Sequence, residues 1–216
     1  MYNIHMIRVY LVDDHEVVRR GLRDLLVVEG DIRIVGGVGT AAEAKQHVPM
    51  VRPDVMVLDV RLPDGTGIEV CRAVRAAEPA ITALMLTSFD NDEAQLAALV
   101  AGAGGHVLKQ IRGSDLVAAI RRVAAGQSLL DAKVADRIRR RLAPDGTAGR
   151  VGDGSLSDVE GRVLAHILDG DTDREIVERT GLDIDTVEQT TADLLAKLGL
   201  GRATGLTDLG RSLISA

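Results

Sequence analysis

Five short apolar runs, each followed by an amphipathic helical pattern, fix most of what this chain can fold into. IRVYLV (residues 7–12) is apolar and partly β-branched, stops at Asp13 and Asp14, and reads as a buried strand. HEVVRRGLRDLLVVEG (15–30) follows, with Val17, Val18, Leu22, Leu25 and Leu26 at helical spacing and Gly30 closing it. The pattern repeats. IRIVGGV (32–38) precedes the helical TAAEAKQHV (40–48), where Thr40 and Glu43 have capping-box spacing. DVMVLDV (54–60) and the loop LPDGTG (62–67) precede the helix IEVCRAVRAAE (68–78), stopped by Pro79. ITALMLTS (81–88) precedes NDEAQLAALVAGA (91–103), and GHVLK (105–109) precedes SDLVAAIRRVAAG (114–126). Strands alternating with helices in this way predict an α/β doubly wound, five-stranded parallel sheet. In such a sheet, function gathers at the carboxyl ends of the strands.

The rest of the chain has a different texture. DAKVADRIRRRLA (131–143) is one more helical pattern, and PDGTAGRVGDGS (144–155) is Gly-rich without apolar periodicity, so it reads as a linker. Four short helical patterns follow, at 157–168, 172–180, 184–198 and about 202–214. The expected division is therefore residues 6–126, a connecting helix and linker over 127–154, and a small all-α four-helix domain over 155–216. Charge divides along the same boundary. The net charge is −6, and 155–216 carries 12 acids against 6 bases, while the upstream residues carry 20 of each. The one cysteine, Cys71, excludes an internal disulfide and suits a reducing cytoplasm. Set among Ile68, Val70 and Val74, it reads as a small buried hydrophobe. No run is long enough to span a membrane, and the first residues carry no secretory signal pattern. There is no GxxxxGK[ST] motif, so no nucleotide site is expected.

The strand ends carry the chemistry. Asp13 and Asp14 end the first strand, Asp59 the third, Thr87 and Ser88 the fourth, and Lys109 the fifth. With strand order 2-1-3-4-5 the first and third strands are neighbours, so three carboxylates converge. Such a cluster is best explained by a hard cation with oxygen ligands, Mg2+ above all. A lysine and a hydroxyl facing the same point suit a phosphoryl group.

The residues VDDH, VLDVRLPDGTGIE, LTS and GHVLK resemble the receiver domain of bacterial two-component response regulators. With the C-terminal piece included, the whole chain is similar to the FixJ/NarL family, in particular to its actinobacterial dormancy-regulator branch. The resemblance implies a CheY-like receiver in which Asp59 accepts a phosphoryl group from a sensor histidine kinase. Asp14 then binds Mg2+ directly, Asp13 assists, and the Arg61 carbonyl is a further ligand. Lys109 pairs with the phosphoryl group and Thr87 turns toward it. His106 occupies the switch position where the family usually carries Tyr or Phe. The implied protein is a cytoplasmic regulator, not an enzyme, and works as a homo- or heterodimer without a membrane.

LSDVEGRVLAHILDGDTDREIVERTGLDIDTVEQTTADLLAKLGL (156–200) resembles the LuxR-type helix-turn-helix domain of the same family. Its third helix, about 184–198, is the one expected to enter the major groove. Val187, Thr191, Leu194, Leu195 and Leu198 share its core face. The opposite face presents Asp185, Glu188, Gln189 and Ala192, with Asp193 beside it and no Lys or Arg before Lys197. Asp183 and Asp185 suit the helix N-terminus. They do not suit a polyanion, since affinity for DNA comes mainly from bases that neutralise phosphates. Asp or Glu can accept from cytosine N4 and Gln189 can pair with adenine. Arg174, Arg179 and the cluster Arg137, Arg139, Arg140 and Arg141 are the available phosphate contacts. Gly205 and Gly210 weaken the final helix as a pairing element, at about 1 kcal/mol each. The expectation is a DNA-reading fold whose DNA binding is weak, partner-dependent or lost, with protein–protein interaction as the alternative output.

Overall fold

The computed structural model describes residues 6–87, 98–110, 112–129, 156–169 and 171–197. The elements are β1 (Ile7–Val12), α1 (Glu16–Val27), β2 (Ile32–Val38), α2 (Ala41–Val51), β3 (Val55–Asp59), the two-residue strands β4 (Arg61–Leu62) and β5 (Gly65–Thr66), α3 (Gly67–Ala77), β6 (Thr82–Thr87), β7 (Gly105–Leu108) and α4 (Gly113–Ala124). The C-terminal helices are α5 (Asp158–Leu168), α6 (Asp173–Thr180) and α7 (Ile184–Lys197). Several expectations lie outside the described residues. They are Ser88, most of the 91–103 helix, the linker with its arginine cluster, Leu198, the helix near 202–214, and the side chain of Leu195.

The main sheet has the order β2-β1-β3-β6-β7, all parallel, as the alternating pattern predicts. The strand period of two divides its side chains between two layers. Ile7, Val9 and Leu11 of β1 join Val55, Val57, Leu84 and Leu86 beneath α1 and α4. Tyr10 and Val12 join Met56, Leu58 and Met85 beneath α2 and α3. This second layer continues into the C-terminal helices through Val163, Leu164, Ile167, Ile176, Val187 and Leu194. Cys71 is fully buried within it, and burial pushes its thiol up to about 12.

Two local features depart from the sequence pattern. The α2 pattern ends before Pro49, yet the helix continues to Val51. Pro49 falls in the last turn, where only one amide bond is forgone, and Arg52 then takes a left-handed φ of 50° and closes the helix onto Val48. The LPDGTG loop is a small antiparallel hairpin, with Arg61 facing Thr66 and Leu62 facing Gly65.

Candidate functional site

The hairpin places α3 directly against the end of β3. A Cβ on Gly67 would lie 2.1 Å from the Asp59 carbonyl oxygen, so only glycine permits this approach. The carboxylates converge as the strand order requires. Asp13 is fully buried and Asp59 nearly so, while Asp14 is exposed at the rim. Lys109 reaches between them, its Nζ 2.8 Å from Asp13 Oδ2 and 2.6 Å from Asp59 Oδ2. Burial holds the Asp59 carboxyl above its ordinary range, with Lys109 offsetting only part of that. Burial would lower the Lys109 ammonium, but its bonds to Asp13 and Asp59 outweigh this and it stands raised.

Donor atoms of Asp13, Asp14, His15 and Asp59 all lie within 4.8 Å of one another. Hard carboxylate oxygens in that spacing, on a partly open edge, fit a divalent cation with oxygen ligands. Arg61 donates its amide to Asp59 Oδ1 at 3.4 Å, so its peptide lies beside the acids. Thr87 is buried at the end of β6, and its carbonyl accepts from the Lys109 amide at 2.7 Å. His106 is half-buried on β7, paired in register with Met85. Asp13, Asp14, Asp59, Arg61, Thr87 and Lys109 are therefore at one edge of the sheet.

Two neighbours escaped the sequence reading. His15 Nδ1 lies 2.5 Å from Asp14 Oδ1, and its amide donates to Asp13 Oδ1 at 2.8 Å. Arg19 donates to the Asp13 carbonyl at 2.5 Å. The sequence signal was their place at the start of α1, zero and one turn after the acidic pair.

Each described C-terminal helix is capped at its start, at α7 by the predicted Asp183. Ser157 and Glu160 form a capping box at α5, Thr172 and Glu175 another at α6, and Asp183 Oδ1 accepts from the Thr186 amide at 2.8 Å. Val187, Thr191 and Leu194 are buried, and Asp185, Glu188, Gln189, Ala192 and Asp193 are exposed. Gln189 donates to Asp193 one turn on, at 2.9 Å. Arg179 pairs with buried Asp171 at 3.2 Å, and Asp171 also contacts His166 Nδ1 at 2.9 Å.

Helix α7 does not face open solvent throughout. Glu188, Thr191, Ala192 and Ile184, with Arg174 of α6, line a cavity of about 550 Å3 whose other wall is Lys45, Glu69, Arg72 and Ala76. At its side the buried Arg72 of α3 pairs with Asp173 of α6 and donates to the Val100 carbonyl at 2.9 Å. No sequence signal joins Arg72 to a residue so distant in the chain.

A five-stranded parallel sheet with this acid–lysine edge, followed by capped C-terminal helices, is the receiver fold. The family described as response regulator receiver domain matches residues 9–121. The chain is 47% identical to the DNA-binding transcriptional activator DevR/DosR of Mycobacterium tuberculosis, over 92% of this chain and 91% of that protein. It is 31% identical to the response regulator protein VraR of Staphylococcus aureus, over 89% and 90%. Among solved structures, response regulator ChrA of a heme-sensing two-component system aligns over 97% of this chain and 98% of that one, at 29% identity and TM-score 0.51. The chain belongs to the LuxR/NarL family of response regulators. It is a two-component response regulator with a receiver domain, not an enzyme, and a receiver implies a cognate histidine kinase. Among the described residues no helix is long and apolar enough to cross a membrane.

Proposed function

We propose that this chain is a cytoplasmic, phosphorylation-controlled transcription regulator. Residues 6–126 act as the receiver, 127–154 connect, and 155–216 form the DNA-directed output. The observation that carries this reading is Lys109 Nζ bridging Asp13 and Asp59 beside Asp14. An Asp59 oxygen attacks the phosphorus of a phosphohistidine on a sensor kinase. The phosphorus–nitrogen bond breaks, and its electron pair leaves with the imidazole. Lys109 then transfers its charge from Asp59 to the phosphoryl oxygens, and the Thr87 hydroxyl donates to one of them. His106, on the strand beside Thr87, follows that rearrangement. The carboxylates of Asp14, Asp13 and Asp59 with the Arg61 carbonyl would hold Mg2+, which neutralises charge on the phosphoryl oxygens when bound.

The output follows from the cavity between α3 and α7. While Glu188 and Ala192 face the receiver wall, that part of the helix is closed to DNA. Phosphorylation frees it, and the output domains of two chains, or of this chain and a related one, engage DNA together. Arg174 and Arg179 supply phosphate contacts, Asp185 and Glu188 accept from cytosine amines, and Gln189 reads adenine. Salt-sensitive binding of phosphorylated protein to promoter fragments tests this, and its absence would sink it.

The acidic reading face favours a second reading, in which 155–216 binds a protein with a basic surface instead of DNA. It predicts a heteromeric complex that forms without DNA. A chain that stays monodisperse with every such protein counts against it.

A further inference from the structure

Asp64, in the hairpin that follows the phosphoacceptor strand, does more than shape a turn. Its Oδ1 accepts from the Ala41 amide at 2.6 Å and its Oδ2 from the Ala42 amide at 2.9 Å. These are the first two amides of α2, which have no partner within their own helix. Thr40 caps the third, accepting from Glu43 at 3.3 Å. So α2 has two caps of different origin: its own Thr40, and a carboxylate reaching across from the β3–α3 hairpin. Desolvation opposes ionisation of Asp64, but the Ala41 and Ala42 amides outweigh it and hold the carboxyl below its usual range. The contact is close on both sides. A Cβ on Gly65 would lie 3.1 Å from Ala41 Cβ and 2.9 Å from Glu69 Oε2.

The same hairpin carries Arg61, whose peptide borders Asp59, and delivers Gly67 to the Asp59 carbonyl. Its two strands pair at only two positions, Arg61 with Thr66 and Leu62 with Gly65. A two-residue hairpin does not hold itself rigid. Leu62 anchors one strand in the core and Thr66 caps α3 from the other, while the tip between them is held by Asp64 on α2. We propose that Asp64 is a positioning residue for the cation and phosphoryl site: by clasping the N-terminus of α2 it holds the hairpin so that the Arg61 carbonyl and the Asp59 carboxylate stay in register with Asp13 and Asp14. This rests on the reading of those residues as the metal and phosphoacceptor set.

The test titrates Mn2+, an oxygen-ligated stand-in for Mg2+, into the full chain and follows loss of the free-ion paramagnetic signal. Three variants are compared with wild type. Asp64→Ala removes the clasp, Asp64→Asn keeps one acceptor oxygen, and Thr40→Ala weakens the same helix end while leaving the hairpin attached. Asp64→Ala is expected to bind Mn2+ about fivefold more weakly, short of the loss typical for a direct partner of a ligand. Asp64→Asn is expected between it and wild type, and Thr40→Ala at the wild-type value. Equal weakening in Thr40→Ala and Asp64→Ala would reduce Asp64 to a helix cap and overturn the proposal. So would unchanged binding in Asp64→Ala with faster amide exchange at Ala41 and Ala42. A wild-type chain that takes up no Mn2+ would instead remove the metal site itself, and this inference with it.

Discussion

Lys109 is the residue on which the site's electrostatics turn. It lies between two buried or nearly buried carboxylates, and without it Asp13 and Asp59 would face each other unneutralised. Lys109→Met keeps the stem and deletes the charge. The expected loss is about 2 kcal/mol in urea unfolding without metal at neutral pH, less than for a fully buried pair because Lys109 is 19% exposed. Wild-type stability in that variant would contradict the pairing. Because the folded Lys109 is raised, its contribution is complete below the ordinary lysine range and is lost as pH rises through the raised value. Cys71 gives a second residue-scale expectation: buried and with its thiol pushed up to about 12, it should resist thiol reagents at pH 8 until the chain unfolds. Rapid native-state labelling would show that the layer beneath α3 is open. Asp13, Asp59 and Lys109 were legible in the sequence because each ends an apolar run. Asp64 and Arg72 were not, because their partners come from other elements and tertiary packing alone brings them together.

Helix ends were the most legible elements. Thr40 and Asp183 read as caps in the sequence, and each accepts from the amide three residues on because both partners lie within one turn; Ser157 with Glu160 and Thr172 with Glu175 close reciprocal capping boxes in the same way. Ser157→Ala should lower stability by about 1 kcal/mol in chemical denaturation, and no change would mean that α5 is held by packing alone. At α7, Asp183 is held below its usual range by the Thr186 hydroxyl and amide. Its capping is therefore complete above the ordinary carboxylate range and is lost as pH falls through the lowered value. The protection of the Thr186 amide, its exchange taken relative to the intrinsic rate at each pH, should fall in acid, and protection that is higher in acid than at neutral pH would contradict the cap. The hairpin β4–β5 and the passage of α2 through Pro49 were not legible. Both depend on backbone geometry that residue preferences leave open: a Gly-rich loop that pairs with itself, and a proline in a turn already ending.

At the scale of the whole molecule, the receiver and the C-terminal helices share an apolar layer and the ion pair of buried Arg72 with Asp173. Asp173→Asn leaves the buried Arg72 guanidinium short of its counter-charge. The unphosphorylated chain should become less stable by about 3 kcal/mol and larger in radius of gyration by small-angle scattering. Unchanged size would show that Arg72 does not hold the two parts together. The acidic face of α7, where the sequence first set family resemblance against charge, lies partly against the receiver wall that carries Lys45 and Arg72. Of the acids on α7 only Glu188 lines that cavity, across from Lys45 and Arg72. The regulator proposed above binds DNA once Asp59 is phosphorylated. That binding is tested most directly by selecting and sequencing bound fragments from a genomic DNA library, with and without acetyl phosphate and Mg2+, for wild type and Asp59→Ala. The expected result is a motif enriched by phosphorylated wild type and lost in Asp59→Ala. No enrichment from a sample in which Asp59 is shown to be phosphorylated would contradict it, and would direct the output domain to a protein partner.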